Sequence, residues 1–288
     1  MKRIISVVLS ALLVVGVVFA FAACSGNEAE KKSFTIAVPN DATNEARALL
    51  LLQDKGYIKL KDDAGITATI NDIVENPYNI DIKEIEAAQI PNVRQDVDFA
   101  VINSNFAISA GLNPVSDSLA IEGSSSAYSN ILAVKEGKEN EPKILALVAA
   151  LESQQVADFI AEKYDGSVVS VVNDTTDGYD SSIDYADLAG EKITVAASPT
   201  PHAEILAVVK EILAAKDIKL DIKEYSDYIQ PNNVVDSGEI DANYFQHKPY
   251  LDDFNAENGT HIVSVSAVHV EPLGIYSGKQ TNLDVIKG

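Results

Sequence analysis

FTIAVPNDATNEARALLLLQ, residues 34–53, decides the fold. Its first six residues are β-forming and stop at Pro39-Asn40-Asp41, where the chain must turn, and residues 43–53 then run through helix formers without a break. This is a strand, a turn and a helix. The same design returns at residues 191–197 (EKITVAA), which stop at Ser198-Pro199-Thr200-Pro201 and lead into the apolar helical stretch AEILAVVKEILAA, residues 203–215. The unpaired N–H groups at each helix start carry partial positive charge and face the end of the strand, so each opening can hold an anionic group such as a carboxylate. Any α/β protein repeats such units, so the repeat by itself sets an architecture and leaves the role open.

Further strand candidates at 67–70, 99–102, 130–134, 219–223 and 261–265 interleave with helix candidates at 82–88 and 143–163. That alternation predicts an α/β protein of two lobes, each a mostly parallel sheet flanked by helices. Residues 173–187 (NDTTDGYDSSIDYAD) are polar and acidic and predict a surface linker. A small ligand of such lobes lies in the cleft outside the carboxyl ends of the strands.

The 288 residues carry 43 acidic and 22 basic side chains, a net charge of -21. The bases are scattered singly, so a nucleic-acid partner is not expected. Met1-Lys2-Arg3 followed by an apolar run to Phe21 has the form of an export signal. It ends in Phe21-Ala22-Ala23-Cys24, similar to the lipobox of bacterial lipoproteins, with Phe21 where leucine is usual; an uncleaved membrane span is the alternative. Cys24 is the single cysteine, which excludes an intrachain disulfide and suits lipid attachment. Residues 1–24 are thus expected to be a signal peptide and 25–33 a tether.

Longer motifs then carry a family resemblance. VPNDATN with Arg47 and LLLLQ, INDIVENP (70–77), AVIN (100–103), AGLNP (110–114) and SAYSN (126–130) resemble the second lobe of the methionine-binding lipoproteins of ABC importers. PHAEI (201–205), EYSDYIQPN (224–232), DANYFQHKPYLD (241–252) and EPLGIYS (271–277) resemble the first lobe. The order is swapped relative to the family, as in a circular permutation. Cutting one surface loop and bridging nearby termini changes mainly loop-closure entropy, by roughly a kcal/mol. The rival origin is a fragment of a tandem duplication. The resemblance implies a two-lobed periplasmic-binding-protein fold, type II-like. Residues 34–134 plus 275–288 would form one lobe and 135–274 the other, with 173–187 joining the family's original termini and pivots near 134–135 and 272–276.

It also implies a site. Arg47 corresponds to the family's carboxylate-binding arginine and Asn103 and Asn130 to two ligand-binding asparagines, while Tyr228, Phe245, His247 and Tyr250 correspond to an aromatic wall around the methionine side chain. From the residues alone, Arg47 is equally a surface arginine paired with Glu45 or another acid. Asn103 and Asn130 are equally turn residues, and Phe245, Tyr250 and His247 core residues. His202 starts a helix and is expected to be structural. No cofactor or metal is expected, since no two of the four histidines share the i, i+4 spacing. The implied function is capture of L-methionine or a close relative by a monomer. The lipid holds it on the outer face of the cell membrane, where it delivers to a permease and ATPase. An enzyme of amino-acid metabolism using His247 with Asp241 or Asp252, or a surface adhesin on the same fold, are the alternatives; no catalytic residue is assigned.

Overall fold

The computed structural model describes residues 33–123 and 126–288; residues 1–24 with Cys24, and nearly all of the 25–33 tether, lie outside them. β1 (Phe34–Pro39), β2 (Ile80–Ile85), β3 (Phe99–Ile102) and β4 (Ser118–Ile121) begin a first sheet. The chain then passes through β5 (Ser129–Lys135), β6 (Lys192–Ala197), β7 (Lys219–Glu224), β8 (Ala242–His247) and β9 (Ile262–Val270), which form a second. It returns with β10 (Gly274–Ser277) to the first sheet, whose order is β2-β1-β3-β10-β4. The second runs β7-β6-β8-β5-β9, with Val169–Ser170 at its edge.

The fold is α/β, but each sheet is mixed rather than mostly parallel. β1 is parallel to β2 and β3, whereas β10 is antiparallel to β3 and β4. Likewise β6 is parallel to β7 and β8, whereas β5 is antiparallel to β8 and β9. β5 and β10 are the exchanged strands: each enters its sheet directly from the other one by a short connection.

The repeated opening seen in the sequence recurs in side-chain detail. Thr35 on β1 donates its N–H (2.8 Å) and hydroxyl (3.0 Å) to Asp98 just before β3, and the Asp98 N–H returns to the Thr35 hydroxyl at 3.1 Å. Thr194 on β6 makes the same three bonds with Asp241 just before β8, at 2.8, 2.9 and 3.0 Å. Each clasp fixes the register of a parallel pair from its entry end.

α1 (Ala42–Asp54) starts at Asp41, whose carboxylate caps the Asn44 N–H at 3.0 Å, and packs Leu49 and Leu52 beneath the first sheet. α2 (Ser104–Ser109) follows β3. The expected helix at 143–163 is two, α3 (Pro142–Leu151) and α4 (Gln154–Tyr164), because Ser153 caps a new start at the Val156 N–H. α5 (Glu204–Ala214), α6 (Gln230–Asp236) and α7 (Lys248–Asn258) complete the second half.

Three expectations are corrected. Residues 82–88 are strand β2 and a short 3-10 turn: flanking β1 at the sheet edge, the segment takes its conformation from ladder bonds that outweigh the helix propensity of Lys83, Glu84 and Glu86. Residues 67–70 form turns, with Thr69 and Asp72 making a capping box. β5 belongs wholly to the second sheet, pairing Val134 with both Ala242 and Val263, so a lobe boundary at 134 and a pivot at 134–135 do not hold. The chain crosses between sheets at 122–128 and again at 271–273. There the Glu122 N–H donates to the Leu273 carbonyl at 2.8 Å.

Residues 173–187 are packed down, not free. Thr176 donates to the Ala149 carbonyl at 2.5 Å and Tyr179 to the Ile212 carbonyl at 3.2 Å, with Lys216 lying 4.5 Å over the Tyr179 ring. Gly178, at φ +98°, has no room for a Cβ, which would meet Ile212 Cγ2 at 2.8 Å.

Glu45, in the first turn of α1, is buried and accepts the Ile70 N–H at 2.9 Å. Burial, with Glu84 beside it, pushes its carboxyl up to about 7 against the Ile70 bond. The folded state therefore holds an extra proton from the ordinary value of 4.5 up to about 7, and stability falls as pH rises through that window. Glu45→Gln is expected to raise the melting temperature at pH 8 by about 2–4 °C relative to wild type. Scanning calorimetry should show that gain disappearing near pH 4.

Candidate functional site

A small cavity of about 30 Å³ lies where the two sheets' carboxyl ends meet. Arg47, Asn103, Asn130, Tyr228, Phe245, His247 and Tyr250 all line it. So do Asn44, Ser104, Asn105, Gln246 and Glu271, which sequence reasoning did not single out.

Arg47, on α1, is 4% exposed and is held from four directions. Its Nε and Nη2 donate to the two Glu122 oxygens at 3.3 and 2.5 Å, Nη2 also donates to the Glu271 carbonyl at 3.2 Å, and Nη1 donates to Asn44 Oδ1 at 3.2 Å. The Tyr128 ring covers the guanidinium at 4.4 Å. Five N–H groups less these four leave one on Nη1. The partner acid is thus Glu122, not Glu45, and the guanidinium's two-pronged carboxylate contact is made inside the protein.

The amide orientations follow from their partners. Asn44 gives Nδ2 to Asp41 at 2.8 Å, so its oxygen is the acceptor for Arg47, for Asn103 Nδ2 at 2.9 Å and for His247 Nε2 at 3.3 Å. Asn103 Oδ1 is left buried with no partner among the described residues. Asn130, on β5, is fixed from behind by His202 Nε2, 2.9 Å from its Oδ1, which leaves Nδ2 as its donor end. The cavity therefore has an acceptor at Asn103 and donors at Asn130 and Arg47.

His202 belongs to a buried chain. Its Nε2 also approaches Glu271 Oε1 at 3.3 Å, His269 Nε2 meets the same oxygen at 2.8 Å, and His269 Nδ1 meets the Tyr244 hydroxyl at 2.5 Å. Burial pushes both imidazoles down to about 3, so they are neutral N–H donors. The Glu271 carboxyl is raised by burial and drawn back by His202, Arg47 and the Asn105 N–H. Among the described residues, His202, His269 and Glu271 are the group whose ligand atoms lie close enough, within 4.8 Å, to hold a metal. Their separations of 2.8 and 3.3 Å are those of hydrogen bonds, which already use the same atoms.

The remaining wall is aromatic. Tyr228 sits 5.9 Å from Phe245, 5.8 Å from Tyr250 and 4.9 Å from Phe106, ring centre to centre. His247 ends β8 and caps α7, its Nδ1 accepting the Tyr250 N–H at 3.1 Å. Nε2 therefore carries the proton, and burial and then Arg47 hold the ring neutral. Tyr228 donates to Asn105 Oδ1 at 2.7 Å, tying the loop before α6 to α2. Asp241 and Asp252, the acids weighed as catalytic partners of His247, are engaged elsewhere: Asp241 with Thr194 and Lys143, Asp252 with Lys248. Asn44 was within reach of the sequence, one helical turn before Arg47 on the same face. Glu122 and Glu271 had no such signal, since only the folded crossovers bring them to Arg47.

The model of the family described as NlpA lipoprotein matches residues 28–172 and 193–288. The membrane lipoprotein TpN32 of Treponema pallidum is 44% identical over 135 residues, 47% of this chain and 50% of that one. The D-methionine-binding lipoprotein MetQ of Escherichia coli is 40% identical over 136 residues, 46% and 50% of the two chains. The chain spans about half the length of the curated relatives it matches. A solved structure of a nutrient binding protein from Burkholderia cenocepacia bound to methionine is 47% identical, with a TM-score of 0.46 over 47% of this chain and 58% of that one.

Glu122 also accepts the Leu273 N–H at 3.1 Å, so its carboxylate serves three donors across both crossovers. Glu122→Gln places an NH2 against one of them. Urea denaturation is expected to show a loss of about 1–3 kcal/mol.

Proposed function

We propose that this chain, which belongs to the NlpA lipoprotein family, is the substrate-binding lipoprotein of an ABC importer and that its cavity takes methionine or a close analogue. It binds and releases its ligand without catalysis. One observation carries this: a single small cavity presents an unpartnered acceptor at Asn103 and donors at Asn130 and Arg47, beside the rings of Tyr228, Phe245 and Tyr250. That is the complement of a zwitterion with an apolar side chain. The ammonium goes to Asn103 Oδ1, and the carboxylate goes to Asn130 Nδ2 and the remaining Nη1 hydrogen of Arg47. A polarizable thioether gains from ring edges, while flat walls turn away branched side chains. The relative named as D-methionine-binding points to the same ligand class.

Cys24 carries the lipid in this account and holds the protein as a monomer on the outer face of the cell membrane, beside the permease and ATPase it serves. Among the described residues no helix is long and apolar enough to cross a membrane. The two blocks stand in swapped order relative to the family, joined through 173–187 and pivoting at the 122–128 and 271–273 crossovers. Supporting the swap are the family match in two blocks and the alignments to curated relatives that stop at half of both chains.

Titration calorimetry of the purified protein is expected to show saturable binding of L-methionine, D-methionine or a methionine dipeptide, and none of leucine at the same concentration. Heat with none of the methionine compounds overturns the assignment. Arg47→Ala, shown folded by circular dichroism, is expected to weaken binding about 10–100-fold.

A further inference from the structure

Asn44 sits in the first turn of α1 with 2% exposure and bonds to Asp41, Arg47, Asn103 and His247. Its amide has no rotational choice, because the Asp41 carboxylate takes Nδ2 and thereby aims Oδ1 at the cavity. Three donors converge on that oxygen from three places: Arg47 one turn along α1, Asn103 at the end of β3, and His247 at the end of β8 in the other sheet. A carbonyl oxygen has two lone pairs, so three donors saturate it. Two of the bonds also decide something about their donors. Asn103 must give its nitrogen, which is why its oxygen faces the ligand. Arg47 gives one Nη1 hydrogen and keeps the other. His247 gives the Nε2 proton that the Tyr250 N–H on its Nδ1 already fixes.

We propose that Asn44 is the positioning residue of the binding site: it sets the acceptor end of Asn103 toward the ligand's ammonium and links the two sheets through His247. This rests on the reading of the cavity as an amino-acid site. Asn44 touches no ligand in this scheme and acts through Asn103.

A purely structural asparagine would affect all ligands alike, whereas a positioning one affects the ammonium alone. The test compares L-methionine with its des-amino analogue, 4-(methylthio)butanoate, by calorimetry on the full-length protein in detergent. Wild type is expected to prefer L-methionine. In Asn44→Ala the affinity for L-methionine should fall about 10–100-fold, as for a lost hydrogen bond to a charged group, while that for the analogue changes less than about 3-fold. Equal losses for both, or no loss for either, overturn the role. So does a wild type that binds both compounds equally well, which would leave methionine capture itself intact.

A measurement on the unmutated protein covers the case in which Asn44→Ala does not fold. Side-chain 15N correlation spectra should show His247 as the Nε2–H tautomer, and the Nδ1–H tautomer overturns the link. A wild type that binds neither compound refutes the receptor reading instead, and an Nδ1–H tautomer of His247 would still overturn the shared acceptor at Asn44.

Discussion

A guanidinium withdrawn from water has to be neutralised where it lies, and the site is arranged around that necessity. Arg47 is nearly inaccessible, so its charge is met by Glu122 on one crossover and by the Glu271 carbonyl on the other. An uncompensated charge at this depth would cost several kcal/mol. The ion pair that satisfies Arg47 thus also ties together the two places where the chain passes between sheets. What is left of Arg47 toward the cavity is one N–H, so the cavity's donors are shared between Arg47 and the Asn130 amide rather than concentrated in one residue.

That sharing depends on amide direction, which the groups behind the amides control. His202 and His269 lie behind the cavity with their rings held neutral by burial, and their chain through Glu271 fixes the oxygen of Asn130. Asp41 does the same for Asn44. Cavity polarity is therefore written one layer back from the cavity surface, in groups with little or no access to solvent.

The sequence carried the architecture where local and tertiary preferences agree. β1 and β3 are apolar runs ending at Pro39 and before Asn103, α1 is an unbroken run of helix formers, and all three lie where the sequence places them. Residues 80–85 did not read as a strand because an edge strand with one wet face is rich in Lys and Glu, and only its ladder with β1 reveals it. The mixed direction of the sheets was hidden for a related reason, since β5 and β10 look alike whichever way they run. The seven cavity residues came from long motifs. Glu122 and Glu271 stayed invisible because they reach Arg47 only once distant parts of the chain have met: Arg47 and Glu271 are separated by 224 positions.

The place of β10 has a consequence for biosynthesis. The first sheet takes four strands from residues 34–121, but its order β2-β1-β3-β10-β4 leaves β3 and β4 joined only through a strand that begins at Gly274. Until residue 277 has left the ribosome, that half of the protein is an open sheet with an unpaired inner edge, and contacts so remote along the chain close slowly.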